Sequence, residues 1–447
     1  LYLEDMTNLD FETWKNSENY QYWMTNYTNW QYEVRFLRAY YYFELVRRYQ
    51  NIPLVTKTLT KDEANNAEPA SAQTILDFII SECEAVAPML PITYNNMPDK
   101  ENGRITRAAA LALKSRATLY AASPLYNTSN DKTKWAKAAE AAYELIGNAS
   151  ELGVGLDNSF ANLFGATNYN SKEVILIRPT GTSKTFEQLN YPMGVTGGKT
   201  STCPTENLAS AFEMKDGRAF DWNDATMKAN PYANRDPRFY LTIVHNGMAW
   251  PAKTAVDISE GGANGLPKTN ATTTGYYLRK YVNNSISFEA GSTTAATHHS
   301  WVLFRYAEIL LNYAEAMINA YDDCNYTNST CKMSALAAVN AVRGRNGIKM
   351  PAISGSLNAN DFLKAVKHER RVEMAFEGQR FWDLRRWKDL NDSKDIYAVK
   401  ITKEGESVNY QKTLLESRSI SDKLYFYPIA NTERFKNSNL IQNPGWD

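Results

Sequence analysis

The chain has 447 residues, enough for roughly two or three ordinary domains or for one large domain with several small cores. Its 49 basic and 49 acidic residues cancel, so no overall charge attracts it to nucleic acid or to an anionic membrane surface. Neither a run of about eighteen apolar residues nor the basic and apolar start of a signal peptide is present.

Helical segments dominate the first third of the chain. Residues 31–49 repeat apolar side chains at helical spacing, and three further segments, 72–87, 106–126 and 132–147, show the same period between proline- or glycine-containing stops. Small residues three or four positions apart allow paired helices to approach closely. The sequence therefore predicts tetratricopeptide-like helical hairpins over residues 31–150.

Residues 150–300 differ from this pattern. They contain glycine pairs, threonine runs and only short apolar strands such as "EVILIR", which predicts a large loop-rich insertion. Helices are expected to resume at Trp301 and to form hairpins over residues 301–390, followed by an irregular C-terminal segment, 391–447. The prediction is one mainly α domain spanning residues 1–447.

The most charged stretch is "HERRVEMAFEGQRFWDLRRWK", residues 368–388. On a continuous helix, Arg370, Glu373, Glu377 and Arg380 share one face between aromatic borders, and buried charges of this kind must pair. We therefore predict a structural ion-pair network. A catalytic pair formed by Glu373 and Glu377 is less consistent with the sequence, because neighbouring arginines lower a carboxyl pKa whereas a proton donor needs it raised.

Cysteine and histidine usage indicates no metal site. Cys324 and Cys331 bracket a polar loop, where they either close a small disulfide ring or remain separate thiols, and C-x-x-C is absent. His298 and His299 are adjacent, so on a strand they point apart and suit a metal poorly. We interpret them as loop histidines and predict neither a metal nor a cofactor.

A family resemblance emerges from eight stretches in order, beginning at Arg35. They are "RFLRAYYYFELVRRYQNIPLV", "GRITRAAALALKSRATLYAASPLYN", "NRDPRFYLTI", "TGYYLRKY", "VLFRYAEILLNYAEAMINA", "AVNAVRGRNGI", "HERRVEMAFEGQRFWDLRRWK" and "YPIANTERFKNSNLIQNPGWD". Together they resemble the SusD/RagB family of nutrient-binding lipoproteins of Gram-negative outer membranes.

The resemblance implies a fold, a location and a partner. The fold is four tetratricopeptide-like helix pairs with an irregular second part. The location is the cell surface at the outer membrane, and the partner is a SusC-like TonB-dependent transporter whose lid the binding protein forms, with the helical side typically facing it. Family members also carry a signal peptide, a lipid-modified cysteine and a longer N-terminal segment, so the anchor is expected to be missing from this chain.

Sugars are recognised by stacking on aromatic rings and by hydrogen bonds from polar side chains, and the resemblance implies that the aromatics come from the pre-helix segment and the insertion. Two clusters match. The first is Trp23, Tyr27 and Trp30, and the second is Asp221, Trp222, Asn223, Tyr232 and Trp250. The first cluster also fits helical spacing and is alternatively core. Trp222 and Trp250 are favoured because no helical core adjoins them.

The "RDPR" residues Arg235, Asp236 and Arg238 are shared across the family regardless of ligand, and we expect them to be structural and paired across the insertion. The predicted function is therefore non-catalytic glycan binding and delivery to the transporter. A peptide ligand in the same role is the first alternative. A glycoside hydrolase is the less favoured one, for which Asp221 and Asp224 are the loop carboxylates to test.

Overall fold

The computed structural model describes residues 11–95, 101–251 and 255–446. It is 41% helix and 11% strand, which confirms the mainly α prediction. Within these described ranges, no helix combines the length and apolar character required to traverse a bilayer.

The helices are unevenly distributed along the chain. In order they are α1 (Tyr20–Tyr49), α2 (Lys61–Asn65), α3 (Ala72–Val86), α4 (Arg107–Ala122), α5 (Lys132–Gly147), α6 (Thr185–Asn190), α7 (Glu206–Ala209), α8 (Ala225–Ala229), α9 (Pro237–Thr242), α10 (Tyr306–Tyr321), α11 (Ala335–Arg343), α12 (Ala359–Glu373), α13 (Arg380–Arg386) and α14 (Asn431–Lys436). The long helices pack in sequence, α1 on α3, α3 on α4, α4 on α5 and α5 on α10, and α10 then contacts α11 and α12.

Capping residues and small side chains explain this helical part. Ser71 and Thr106 accept hydrogen bonds from the backbone N–H groups of Thr74 and Ala109, which satisfies free donors at the starts of α3 and α4. The alanine-rich α4 is buried along most of its length because alanine lets the neighbouring helices approach closely. The resulting core is continuous from α1 to α12.

Most of the strands are short, and they lie mostly outside this core. They are β1 (Ile52–Pro53), β2 (Pro69–Ala70), β3 (Val174–Pro179), β4 (Ile243–Val244), β5 (Tyr277–Leu278), β6 (Ser300–Arg305), β7 (Asp395–Glu404) and β8 (Ser407–Ser417). They pair antiparallel as β1 with β2, β3 with β6, β4 with β5 and β7 with β8. A second apolar core, which includes Phe212, Phe239 and Tyr277, holds the insertion together.

Two sequence expectations about residues after 299 are wrong. Residues 300–305 form strand β6 rather than helix, because this aromatic and β-branched stretch pairs with β3, and α10 starts only at Tyr306. The C-terminal segment is not wholly irregular, since β7 and β8 form a long hairpin in which Glu404 pairs with Ser407.

The charged stretch is not one continuous helix either. Helix α12 ends at Glu373, and the chain turns through Phe376 (φ 61°) and Gly378 (φ 74°) before α13 begins at Arg380. Left-handed backbone at two positions cannot continue a right-handed helix. The assignment of Glu377 and Arg380 to the same helical face as Glu373 was therefore wrong.

A buried group of charges joins the insertion to the helices. We call it the central charge cluster, and its side chains are at most 6% exposed. Its members are Glu173, Asp236, Arg238, Lys280, Arg305, Arg343, Arg345, Glu369, Glu373 and Glu377. Five cations and five anions make the cluster formally neutral, as burial of charge requires.

The predicted network residues divide between three places. Glu373 and Glu377 belong to the central charge cluster, where both accept hydrogen bonds from Arg305 at 2.7 Å. Arg370 instead pairs with Asp383 at 2.8 Å in a separate buried group. Arg380 is partly exposed and pairs with the surface carboxylate of Asp392 at 3.3 Å, so its inclusion in the buried network was wrong.

Candidate functional site

Most of the predicted aromatic residues of the insertion serve its interior. The indole N–H of Trp222 donates to Glu206 at 2.7 Å, and Tyr232 stacks on His245 with ring centres 4.3 Å apart. Asp221 and Asn223 are exposed and bond to each other, since the Asp221 carboxylate accepts from the Asn223 backbone at 2.9 Å. These four residues do not form an open aromatic platform.

Trp250 is the one member of that cluster that lines a recess in the insertion. The recess has a volume of about 370 Å³, which lies in the range of small-molecule sites. Its walls are Ala161, Phe164, Gly165, Ala166, Leu241, Trp250, Arg279, Lys280, Tyr281, Val282, Asn283, Asn284, Thr297, His298 and His299. Trp250 itself is only 5% exposed, so it is part of the wall rather than a free stacking surface.

Strand β5 and the central charge cluster position one wall. Directly after β5, the backbone N–H groups of Arg279 and Lys280 donate to the carbonyl of Thr242 at 3.0 and 3.2 Å. The Lys280 ammonium donates to Glu377 at 2.7 Å and to a backbone carbonyl of the turn after α12. Burial, only partly offset by Glu377, lowers the pKa of Lys280 to about 8.

Arg279 is the exceptional cation of the recess. Its guanidinium carbon lies 5.0 Å from the ring centre of Trp250, and it donates to the carbonyl oxygen of Tyr240. Among the described residues no carboxylate lies within salt-bridge distance of it, and burial lowers the pKa of Arg279. The buried indole N–H of Trp250 likewise has no hydrogen-bond partner in the described part of the chain.

The opposite wall is organised around a buried carboxylate. The His299 ring stacks on Trp301 at 5.1 Å, and its Nε2 lies 3.1 Å from Glu187. Glu187 is fully buried and also accepts from the backbone N–H of Asn283 at 3.2 Å. These contacts fix the backbone of Asn283 and the His299 ring at the recess.

The N-terminal aromatic cluster lies on the first turns of α1. Trp23 is 50% exposed and meets Trp30 edge to face with ring centres 6.5 Å apart, while Tyr27 is partly buried. The buried position on this face is the polar Asn26, so the alternative that Trp23 is a core residue was wrong. With Trp14, Trp23 lines a separate groove of about 310 Å³.

Comparisons with known proteins identify the family. The family model described as "SusD family" matches residues 167–446, and one described as "Starch-binding associating with outer membrane" matches residues 6–119. The chain belongs to the SusD family. Both aromatic clusters therefore lie within matched regions, the insertion cluster (residues 221–250) in the SusD match and the α1 cluster in the other.

Relatives of this SusD-family chain agree with the assignment. SusD-like protein P2 from Formosa agariphila is 25% identical, over 93% of this chain and 73% of its own length. A SusD-like protein from Bacteroides fragilis has a TM-score of 0.76 at 28% identity, over 94% of this chain and 80% of its own. A structure named as a SusD-like carbohydrate binding protein from the same species has a TM-score of 0.75 at 28% identity, over 93% and 80%.

The "RDPR" residues connect elements of the fold. Arg238 pairs with Asp236 at 2.7 Å and reaches Glu369 of α12 at 2.5 Å, so the pairing extends beyond the insertion. Arg235 has no acidic partner in these contacts and donates instead to backbone carbonyls, including that of Ala209 at 2.5 Å. All three residues are buried and none lines the recess.

The loop carboxylates of the hydrolase alternative have local structural roles. Asp224 caps α8 by accepting from the backbone N–H groups of Thr226 and Met227 at 2.8 and 3.0 Å. Asp221 is part of a side-chain turn with Asn223. The thiols of Cys324 and Cys331 are free, so the ring suggested for them is not formed.

Several residues of the recess escaped the sequence reasoning. Arg279 lies in "TGYYLRKY", which was noted only for its family resemblance, and Asn283 and Asn284, just after that stretch, were not singled out. His298 and His299 were interpreted as plain loop histidines. A usable signal was the basic and amide-rich stretch directly after a short buried strand, because binding residues concentrate on loops that a rigid strand positions.

Proposed function

We propose that this SusD-family protein binds an oligosaccharide in the insertion recess without cleaving it. The carrying observation is that amide, hydroxyl and guanidinium groups, from Asn283, Asn284, Thr297 and Arg279, line one recess together with aromatic rings. Sugar hydroxyls pair with such groups, and an apolar wall encloses the apolar parts of a pyranose. The name of the Bacteroides fragilis carbohydrate-binding structure supports the same ligand class.

A binding role without hydrolysis is supported by the composition of the recess. Glycosidases need two carboxylates about 5 to 10 Å apart across the sugar bond. The described residues that line the recess include neither aspartate nor glutamate. Two buried carboxylates contact lining residues from behind the wall: Glu187 lies 3.1 Å from His299, and Glu377 lies 2.7 Å from Lys280.

We further propose that the bound sugar is handed to a TonB-dependent transporter at the outer membrane, where a lipid anchor holds the protein at the cell surface. Support comes from the family model whose description mentions association with the outer membrane. The helical face offers a surface for the transporter, since Leu37, Tyr41 and Leu45 of α1 are 38%, 61% and 42% exposed at helical spacing.

Isothermal titration against plant, host and microbial oligosaccharides tests the binding proposal. Wild type is compared with Asn284→Ala and Trp250→Phe in the recess, and with Trp23→Ala as a matched aromatic change outside it. We expect binding to one glycan class, weakening in both recess variants, no effect of Trp23→Ala, and no product after overnight incubation.

Other results assign the function differently. Loss of binding only in Trp23→Ala moves the site to the α1 groove. Appearance of shortened products identifies a hydrolase, and binding of peptides with no response to any glycan favours the peptide alternative. The transporter step is tested separately, by co-purification with a TonB-dependent transporter and its loss in Tyr41→Asp.

A further inference from the structure

The recess has a consistent sign of charge. Its basic lining residues are Arg279, Lys280, His298 and His299, and no aspartate or glutamate of the described chain lines it. Lys280 is compensated by Glu377 at 2.7 Å, and His299 faces Glu187 at 3.1 Å. Arg279 has no such compensation, so the uncancelled charge of the recess is positive.

The surroundings of Arg279 favour an anionic partner. A guanidinium has five N–H donors in a planar fork, and the described protein groups take up only one contact, the carbonyl of Tyr240. The cation is removed from much of its water by Trp250, whose own N–H is unpartnered. Arg279 is partly buried, and partly desolvated donors without protein partners are favourable sites for an anionic oxygen.

We propose that the recess selects an acidic sugar, whose carboxylate or sulfate ester is bound by the guanidinium fork of Arg279. This inference rests on the proposed glycan-binding function and narrows it to one substrate class. Arginine suits both groups because its parallel N–H donors match two oxygens of a carboxylate or sulfate. Asn284, exposed beside Arg279, is available to the neighbouring hydroxyls.

Paired probes separate charge from sugar identity. Oligogalacturonate is compared with its methyl ester, which has the same backbone without the charge, and a sulfated galactan oligosaccharide is compared with its desulfated form. We expect at least one acidic probe to bind, and its uncharged counterpart to bind at least about tenfold more weakly, because charge-assisted hydrogen bonds are lost. The two pairs show whether the anion is a carboxylate or a sulfate.

Variants assign the effect to Arg279. Arg279→Met is expected to weaken the acidic probe at least about tenfold, and Arg279→Lys, which keeps the charge but not the fork, to give an intermediate loss. Arg418→Met, an exposed arginine of the C-terminal hairpin, is the matched control and should bind like wild type. Circular dichroism and thermal midpoints verify folding, and Arg279→Lys remains informative if Arg279→Met is unstable.

The outcomes distinguish this inference from the proposed function. Equal binding of charged and uncharged members of a pair, or unchanged binding in both Arg279 variants, overturns the acidic-sugar inference. If a neutral glycan binds and Asn284→Ala weakens it, the glycan function stands without the charge selection. No binding by any acidic or neutral oligosaccharide overturns both.

Discussion

Replacing Arg305 by methionine removes a cation that contacts three of the five anions of the central charge cluster. Arg305 is fully buried and donates to Glu173, Glu373 and Glu377, each at 2.7 Å. Arg345 still contacts Glu173 and Glu373 after the change. The buried cluster nevertheless passes from neutral to a net charge of one negative unit, and methionine cannot solvate it.

The expected cost is about 3–5 kcal/mol of unfolding free energy, as for other buried ion pairs that lose one partner. Arg380→Met is the matched control. Arg380 lies in α13, the helix after α12, but pairs with the largely exposed Asp392. Its expected cost is at most about 1 kcal/mol. Urea unfolding followed by tryptophan fluorescence measures both variants against wild type under identical conditions.

Equal destabilisation by the two substitutions would refute the reasoning, since it would mean that burial and shared contacts do not distinguish Arg305 from Arg380. A stabilised Arg305→Met variant would show that the desolvation cost of the cluster exceeds its pairing energy. Partial compensation by Arg345, in contrast, predicts a loss near the lower end of the range, about 3 kcal/mol.

Three further predictions concern Glu373 of the central charge cluster, two glycines and the cysteines. Although burial opposes its ionisation, Arg345, Arg305 and Arg238 hold the pKa of Glu373 below its ordinary 4.5, so wild type loses stability as pH falls below that value. Below that pH, the difference in unfolding free energy between wild type and Arg305→Met should become smaller in urea unfolding, because the variant's glutamates protonate more easily. A difference that grows as the pH falls contradicts this prediction. Gly275→Ala should cost at least about 2 kcal/mol in thermal unfolding, since φ is +83° and a Cβ would overlap Val399, whereas Gly247→Ala, with open space, should cost about 1 kcal/mol. Alkylation of the denatured protein without reductant, followed by mass spectrometry, should label four thiols, and a missing pair of labels would reveal a disulfide. Alkylation of the native protein should leave Cys83 unlabelled, because burial raises the pKa of that thiol.

Local signals were sufficient for the long helices. Apolar residues at helical spacing, between proline- or glycine-containing stops, located α3 and α4, because such a period acts within one segment. The start of α1 was predicted eleven residues late, at 31 rather than Tyr20, since its first turns bury asparagines rather than apolar groups.

Non-local contacts explain the failures. In the turn through Phe376 and Gly378, the partners of Glu377 are Lys280 and Arg305, which come from distant segments that a helical wheel does not include. The same limit applies to the recess. Trp250 was singled out as a loop tryptophan, but the significance of Arg279 lies in the lack of a nearby carboxylate, which only a folded arrangement of the described residues reveals.

The central charge cluster also limits how this fold can be divided or recombined. Arg238 and Lys280 belong to the insertion, while the glutamates that neutralise them, Glu369, Glu373 and Glu377, come from α12 and the turn that follows. In an isolated fragment of residues 150–300, these cations would be exposed or would lose those countercharges. Grafting the recess onto another member of the family therefore requires matching acidic residues in the recipient's corresponding helix. The part of the chain that contains the recess and the helices that support it share one set of countercharges.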